Sequence, residues 1–284
     1  MKKWRYVYTS GRLYNCPGCG QKKARRFIDT TTGELMPETY AVCNRINSCG
    51  YTHRPRSEKI EYVKIPEKVK HPFYLNKDIF NKTQNGFESN VLFKYLCSVF
   101  AKEKVVKAFE KYKVGTEDFG DCVFWQIDEM GWFRTAKRMQ YFSNGKRNKC
   151  MNVSWLHTKN GFDYETHELK QCLFGQHLLK NKNYEKIYIV ESEKTAIICE
   201  ICNNDEKAVF LATGGLQNFA RIKGIRDIDT YSVFFIPDND ANEIWTEKKE
   251  KLNIKGTILQ NDELNKMKKG SDIADLILSK FERN

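Results

Sequence analysis

Three kinds of periodicity follow one another along the chain. In the first fifty residues, Arg25-Arg26-Phe27-Ile28-Asp29 and Tyr40-Ala41-Val42 flank a turn at Thr32-Gly33-Glu34, which predicts a β-hairpin. From 87 to 113 the apolar residues Val91, Phe93, Leu96, Phe100, Val105, Val106 and Phe109 recur at helical spacing behind the capping residue Asn90, and Gly115 ends the stretch. Residues 122–142 change to strand spacing. Val123–Asp128 predicts one strand, Glu129-Met130-Gly131 a turn and Trp132–Tyr141 the next, a β-meander. From 186 to 278 short apolar strands (Lys186–Val190, Ala208–Thr213, Tyr231–Ile236) alternate with helix-like segments, which predicts a parallel sheet with crossover helices. Residues 55–75, with Pro55, Pro66 and Pro72, read as a linker. Trp125, Trp132 and Trp155 are expected in the core. The fold class is α/β: an N-terminal ribbon, a mixed α+β middle and a C-terminal Rossmann-like parallel sheet.

Composition leaves that picture standing. The 284 residues are 40% hydrophobic and 30% charged, neither disordered nor membrane-like. No run of eighteen apolar residues occurs, so no membrane span is expected. No apolar segment follows the charged start Met1–Tyr6, so no secretory signal is expected and the cytoplasm is the expected compartment. Charge changes the picture more. The net charge of +12 is spread as +8 over residues 1–60, +6 over 61–180 and −2 over 181–284. A basic front suits a polyanion, and an acidic back suits cations. The absence of a GxxxxGK[ST] loop excludes an ATP-driven motor of that type.

Of ten cysteines, four lie in the first fifty residues: Cys16-Pro17-Gly18-Cys19 and Cys43-Asn44-Arg45-Ile46-Asn47-Ser48-Cys49. Two such knuckles joined by a hairpin form a zinc ribbon, with structural Zn²⁺ supplying much of the folding energy. Cys16, Cys19, Cys43 and Cys49 are the expected ligands, and His53 is a possible substitute for the last. Lys22, Lys23, Arg25, Arg26 and Arg45 surround the site with Phe27, Tyr40 and Tyr51 interleaved. Charges beside flat rings suit single-stranded nucleic acid; the alternative is a solvated surface over a small core. Cys199 and Cys202 form a second CxxC, on a helix-like run with no partner pair.

The back half carries a different chemistry. One predicted strand ends at Glu191, the next at Gly214-Gly215, and the third at Asp238-Asn239-Asp240. The carboxyl ends of the strands in an open α/β sheet form its ligand crevice. Carboxylates converging there repel one another unless cations intervene, which predicts Mg²⁺ or Mn²⁺. The Gly pair admits a backbone or a phosphate closely. Asp272 either caps the last helix or faces the same cations.

The segments Val190-Glu191-Ser192-Glu193-Lys194-Thr195-Ala196, Thr213-Gly214-Gly215 and Asp238-Asn239-Asp240 resemble the Toprim fold of topoisomerases, bacterial replicative primases and some nucleases. With the ribbon and basic meander in front, nearly the whole chain resembles primase-like Toprim proteins of bacterial mobile elements, related to bacterial and phage DNA primases. The resemblance implies a zinc ribbon at 1–56, a linker, helical segment and basic meander at 57–180, and a Toprim domain at 181–284. It implies metal-dependent primer synthesis from nucleoside triphosphates on single-stranded DNA. Asp238 and Asp240 would hold the cations. Glu191 would complete their shell or accept the hydroxyl proton, and Lys194 would steady a phosphate. Arg134, Lys137 and Arg138 would grip triphosphate or template, unless they form an ordinary polar strand face. Two features depart from the pattern: the wide gap between Cys43 and Cys49, and Ala241-Asn242 after the Asp-x-Asp. No helicase domain follows, so a separate helicase is an expected partner.

Two other classes use the same parts. A recombination mediator pairs zinc with a Toprim fold and does no chemistry. A Toprim nuclease uses the same carboxylates without needing the ribbon.

Overall fold

The computed structural model describes residues 2–56, 59–61, 70–181 and 183–281. Of the linker expected over 55–75, residues 57–58 and 62–69, with Pro66, lie outside the described residues. The chain divides into two units, 1–68 and 69–284.

In the first unit, strand β1 (Lys2–Trp4) is followed by β2 (Tyr6–Tyr8), β3 (Tyr14–Asn15), β4 (Lys22–Asp29), β5 (Ala41–Cys43) and β6 (Lys59–Glu61). The expected hairpin is β4 against β5, antiparallel, with Ala24 opposite Cys43. β4 also pairs with β2 and β3, and β1 pairs with β6. In β4, Ala24, Phe27 and Asp29 are buried while Lys22, Lys23 and Arg25 face solvent. The apolar core is little more than Ala24, Ala41 and the cysteines, with Tyr51 against them. A core this small gives the ribbon little to fold around without a metal.

The second unit opens with β7 (His71–Pro72), α1 (Lys77–Thr83), α2 (Val91–Val99), α3 (Lys102–Lys111), β8 (Gly115–Glu117), β9 (Asp121–Ile127), β10 (Phe133–Met139), β11 (Ser154–Trp155), α4 (Leu156–Lys159) and β12 (His167–Glu168). β11-β10-β9-β8 form one antiparallel sheet, the expected meander extended on both sides. The helical stretch is two helices rather than one. Asn90 caps α2 by accepting from the Phe93 amide at 3.1 Å. The backbone is then extended at Phe100 (φ −122°, ψ 160°), and α3 restarts after Ala101. The break lets the Phe100 ring turn into the core edge against Phe281.

The remaining elements are β13 (Lys186–Val190), α5 (Glu193–Ile201), β14 (Ala208–Ala212), β15 (Ser232–Ile236), α6 (Asn242–Lys251), β16 (Thr257–Ile258), α7 (Asp262–Asn265) and α8 (Ile273–Phe281). The four strands form an all-parallel sheet in the order β14-β13-β15-β16. Ile187, Ile189 and Val190 are fully buried, as expected for the central strand of a sheet covered on both faces. Tyr188 stacks between Phe210 and Phe234, with ring centroids 5.1 and 5.0 Å away, so one aromatic row crosses three strands. Short 3₁₀ turns over 216–224 and 228–230, not a regular crossover helix, connect β14 to β15.

One large core joins the two halves of this unit. Leu92, Leu96, Val105 and Phe109 from α2 and α3 pack with Phe124 of β9, Val190 of β13, Ile197 of α5 and Leu278 of α8. A second cluster around Phe219, Phe235 and Trp245 covers the other face of the parallel sheet. A third, around Val123, Trp125, Ala136 and Leu156, covers the far face of the meander. Trp125 is fully buried, as expected, whereas Trp132 is 55% exposed, lying over Tyr74 at the surface. Among the described residues, no helix is long and apolar enough to cross a membrane.

Candidate functional site

The ribbon brings its four thiols together. The sulfur atoms of Cys16, Cys19, Cys43 and Cys49 all lie within 4.8 Å of one another. Backbone amides of Gly18 and Arg45 point at Cys16 and Cys43 (3.4 and 3.5 Å), the knuckle geometry that supports thiolates. The hydrogen bond from Gln21 is the main influence lowering the Cys19 thiol to about 7. Four sulfur donors at tetrahedral reach fit structural Zn²⁺. His53 is not part of the set: it stacks on Tyr40 at 4.5 Å and its Nδ1 faces the Thr39 carbonyl. Around the ribbon, Lys22, Lys23 and Arg25 are exposed and Arg45 is half-buried. Arg26 is engaged within the fold, donating to the Met36 carbonyl and lying over the Tyr14 ring.

In the second unit, β13 delivers Glu191 and β15 delivers Asp238 to the same end of the parallel sheet. Burial raises Asp238 to about 8, reinforced by the charges of Glu191, Asp272, Asp240 and Asp275. Glu191 is raised chiefly by burial, with Asp240 adding to it and the Leu216 amide opposing. Asp275 is raised by burial and by Asp272. Asp272 caps α8, accepting from the Asp275 amide at 2.9 Å, and its charge adds to the shift of Asp238. Thr195 of α5 donates to the Asp272 carboxylate and fixes it.

Asn239 explains how Asp272 arrives. Its side-chain amide donates to the carbonyls of Leu264, Met267 and Lys268, and its oxygen accepts from Gly270 at 2.8 Å. The backbone amide of Asn239 donates to Ser271. The residue between the two aspartates thus staples the segment after α7 against the end of β15.

The bases of the meander lie inside the protein's own ion pairs. Lys137, 8% exposed, donates to both oxygens of Glu193 (2.9 and 3.0 Å) and to the Gly214 carbonyl (3.0 Å). Arg134 pairs with Asp128 at 2.7 Å and lies over Tyr74. Arg138 pairs with Asp121 at 2.6 Å and Glu117 at 3.1 Å. Lys194 reaches the Gly145 carbonyl at 3.5 Å and lies near Asp275. Gly214 and Gly215 turn with φ of +74° and +141°. A Cβ on Gly214 would also come within 2.8 Å of Glu193 Oε1, so conformation and space both demand glycine there. Arg221 braces the same loop, donating to the Thr213 carbonyl at 3.1 Å.

Residues 90–239 match the family model described as a domain of unknown function, DUF6371. The chain belongs to the DUF6371 family. The DUF6371 match begins at Asn90, the cap of α2, and ends at Asn239, so it takes in the meander, Glu191 and Asp238. Residues 3–63 match a zinc beta-ribbon finger, in agreement with the four-cysteine cluster. No curated protein matches the chain. Among solved structures, the chain is similar to the primase fragment of the bacteriophage T7 primase-helicase protein: 14% identity, TM-score 0.44, covering 98% of this chain and 97% of that one. It is also similar to the zinc-binding and RNA polymerase domains of the Aquifex aeolicus primase, at 10% identity and TM-score 0.39 over 98% and 78% of the two chains. A DNA primase domain from Pseudomonas aeruginosa matches at 14% identity and TM-score 0.36 over 61% and 55%.

Sequence reasoning gave no role to Glu193, Asn239, Thr195, Asp275 or Arg221. Asp275 had a local signal, its spacing from Asp272. The others act through partners distant in sequence.

Two outcomes are expected. Zinc content measured by elemental analysis should be one ion per chain and should fall close to zero in Cys43→Ser, with protease cleavage appearing within residues 1–56. In the core, Lys137→Met should cost about 3–5 kcal/mol in denaturant unfolding by leaving Glu193 buried and unpaired, and Lys137→Met/Glu193→Leu should recover most of it.

Proposed function

We propose that the protein is a primase-like nucleotidyltransferase. It binds single-stranded DNA through the ribbon and joins nucleoside triphosphates into short primers at the carboxylate end of the parallel sheet. The observation that carries this reading is the placement of Glu191 and Asp238 at the same end of adjacent parallel strands, where burial and the neighbouring carboxylates raise Asp238. Half-buried like charges, with Asp240 exposed beside them, are unfavourable as a structural device, and their place at strand ends is where α/β sheets bind ligands. The donors are all carboxylate oxygens, which fits Mg²⁺ or Mn²⁺ and not a thiolate-seeking metal. The ribbon favours a template-directed reaction, and the order of ribbon, basic meander and Glu plus Asp-x-Asp resembles that of primases.

In this mechanism Asp238 and Asp240 would hold the cation, and Glu191 would complete its shell or accept a proton. When bound, the cation supplies charge neutralisation at the reacting phosphate and the pyrophosphate leaving group. The chain's residues orient a 3′-hydroxyl against an α-phosphorus. The new P–O bond forms as the α–β bond breaks, pyrophosphate departs, and the hydroxyl proton passes to Glu191, whose raised pKa suits an acceptor. Gly215, with only Asn218 near its Cβ position, lets a phosphate approach beside β13, and Lys194 would steady one at the carboxylates. Lys137 acts by position, locking Glu193 and the Gly214 carbonyl, and Arg134 and Arg138 present their remaining N–H groups at the meander. A separate helicase would supply the single-stranded template.

Primer synthesis is tested with single-stranded DNA, labelled nucleotides and Mg²⁺ or Mn²⁺. Short labelled products are expected from the wild type, falling at least about 100-fold in Asp238→Asn and Glu191→Gln. Metal-dependent cutting of the DNA in place of synthesis would replace this reading with a nuclease. Tight binding with neither reaction would replace it with a mediator.

The same cluster predicts a pH dependence. Unfolded, Asp238 ionises near its ordinary value; folded, it keeps its proton to about pH 8. Between those values the folded state binds the extra proton, so its contribution to stability is lost as pH rises. In EDTA, thermal unfolding should therefore show the wild type losing stability from pH 5.5 to 8 more steeply than Asp238→Asn. Mn²⁺ should restore the wild type at pH 8 and leave the variant unmoved.

A further inference from the structure

The β8–β9 hairpin closes through Asp118-Phe119-Gly120, with Glu117 opposite Asp121. Phe119 at its tip has φ +61° and ψ 15°, the left-handed region, and is 91% exposed. A bulky side chain is an outlier there, where Gly or Asn would close the same turn without strain. The backbone cannot relax away from it. Gly120 follows at φ +76° and is packed so tightly that a Cβ would lie 2.3 Å from the Ser89 carbonyl oxygen. So the fold bears a strained residue whose ring it does not bury. Strain of this kind persists where a function uses it.

The ring stands at the rim of a cleft of about 790 Å³. Its other walls include Lys82, Asn85, Thr116, Arg138, Lys159 and Asn160. Lys82 and Lys159 are exposed, and among the described residues neither forms an ion pair. Arg138 is held in place by Asp121 and Glu117. Of the two carboxylates that also line the cleft, Glu117 is paired with Arg138 and Asp118 stands beside Phe119; the flat ring, side-chain amides and the Lys82 and Lys159 ammonium groups are the complement of a base carrying a phosphate. The cleft is separate from the carboxylates. Arg138 lies opposite Val123 on the meander face that packs around Trp125, whereas Lys137, opposite Phe124, points through the other face to Glu193.

We propose that this cleft is a second nucleic-acid site, in which a nucleobase stacks on Phe119 while its phosphate meets Lys82 and Lys159. The occupant is either a base of a single strand or a free nucleotide. The site needs no chemistry at Glu191 or Asp238.

The test uses the zinc-loaded full chain. In Phe119→Trp, the emission added relative to wild type should be quenched by a dT 12-mer, by ATP, or by both. Quenching by the oligomer alone assigns the site to a strand, and by ATP alone to a free nucleotide. Lys82→Gln/Lys159→Gln should weaken that quenching and flatten its salt dependence. Phe119→Gly should raise the melting temperature by relieving the turn and lose five-fold or more in affinity for whichever ligand quenches. Quenching that survives in Phe119→Trp/Asp238→Asn would separate the cleft from primer synthesis, so loss of one reading leaves the other standing. Emission unmoved by both ligands, or wild-type affinity in Phe119→Gly, overturns the proposal.

Discussion

The contact on which the second unit turns is the buried ion pair of Lys137 and Glu193. It joins a strand of the antiparallel meander to the first turn of the helix that follows Glu191. Taking both charges out of water is expensive, and the Coulombic return depends on geometry. Here the geometry is favourable: the ammonium meets both carboxylate oxygens and the Gly214 carbonyl, so its three protons are all used. An apolar pair could hold the two layers together as well, but it would not fix the Gly214 turn beside the end of β13. The pair therefore sets position more than it adds stability, and the loop next to Glu191 inherits its placement from the meander.

The carboxylates beside it are held against their own repulsion. Asp238, Asp272 and Asp275 come from segments that would separate if left to electrostatics. Asn239 and Thr195 prevent this, one by stapling the chain after α7 and the other by gripping the Asp272 side chain. The hydrogen bonds of these two residues oppose the charge they gather, and burial with the neighbouring carboxylates raises the pKa of Asp238.

Features with a local cause were legible in the sequence. The four cysteines announced their site by spacing, because a knuckle is closed by its own few residues. The strand ends at Glu191, Gly214 and Asp238 were legible because strand period and α/β topology together dictate where such residues meet. What escaped was set by partners far along the chain. Nothing near Lys137 indicates that Glu193 neutralises it, and as a strand residue it read as a surface base. Trp132 read as core and not as a stacking platform, yet it lies over Tyr74 at the surface. The break at Phe100 lies inside an unbroken helical pattern and is decided by where a ring finds room. Asn239 hid between two aspartates that took all the attention.

The shared core of α2, α3, β13 and α8 has a consequence for the order in which the chain can fold. Leu92 and Leu278 belong to the same cluster although they are drawn from opposite ends of the unit. During synthesis the thiolates of the ribbon emerge together and can capture their metal at once, since all four fall between residues 16 and 49. The larger unit has no such option. Helices α2 and α3 leave the ribosome with their apolar faces uncovered and must wait for β9 and α5, and α5 in turn for α8. High contact order of this kind slows folding and lengthens the exposure of sticky surface. In a nascent chain the ribbon can thus be finished early, while the larger unit stays unprotected until the strands and helices that cover it are made.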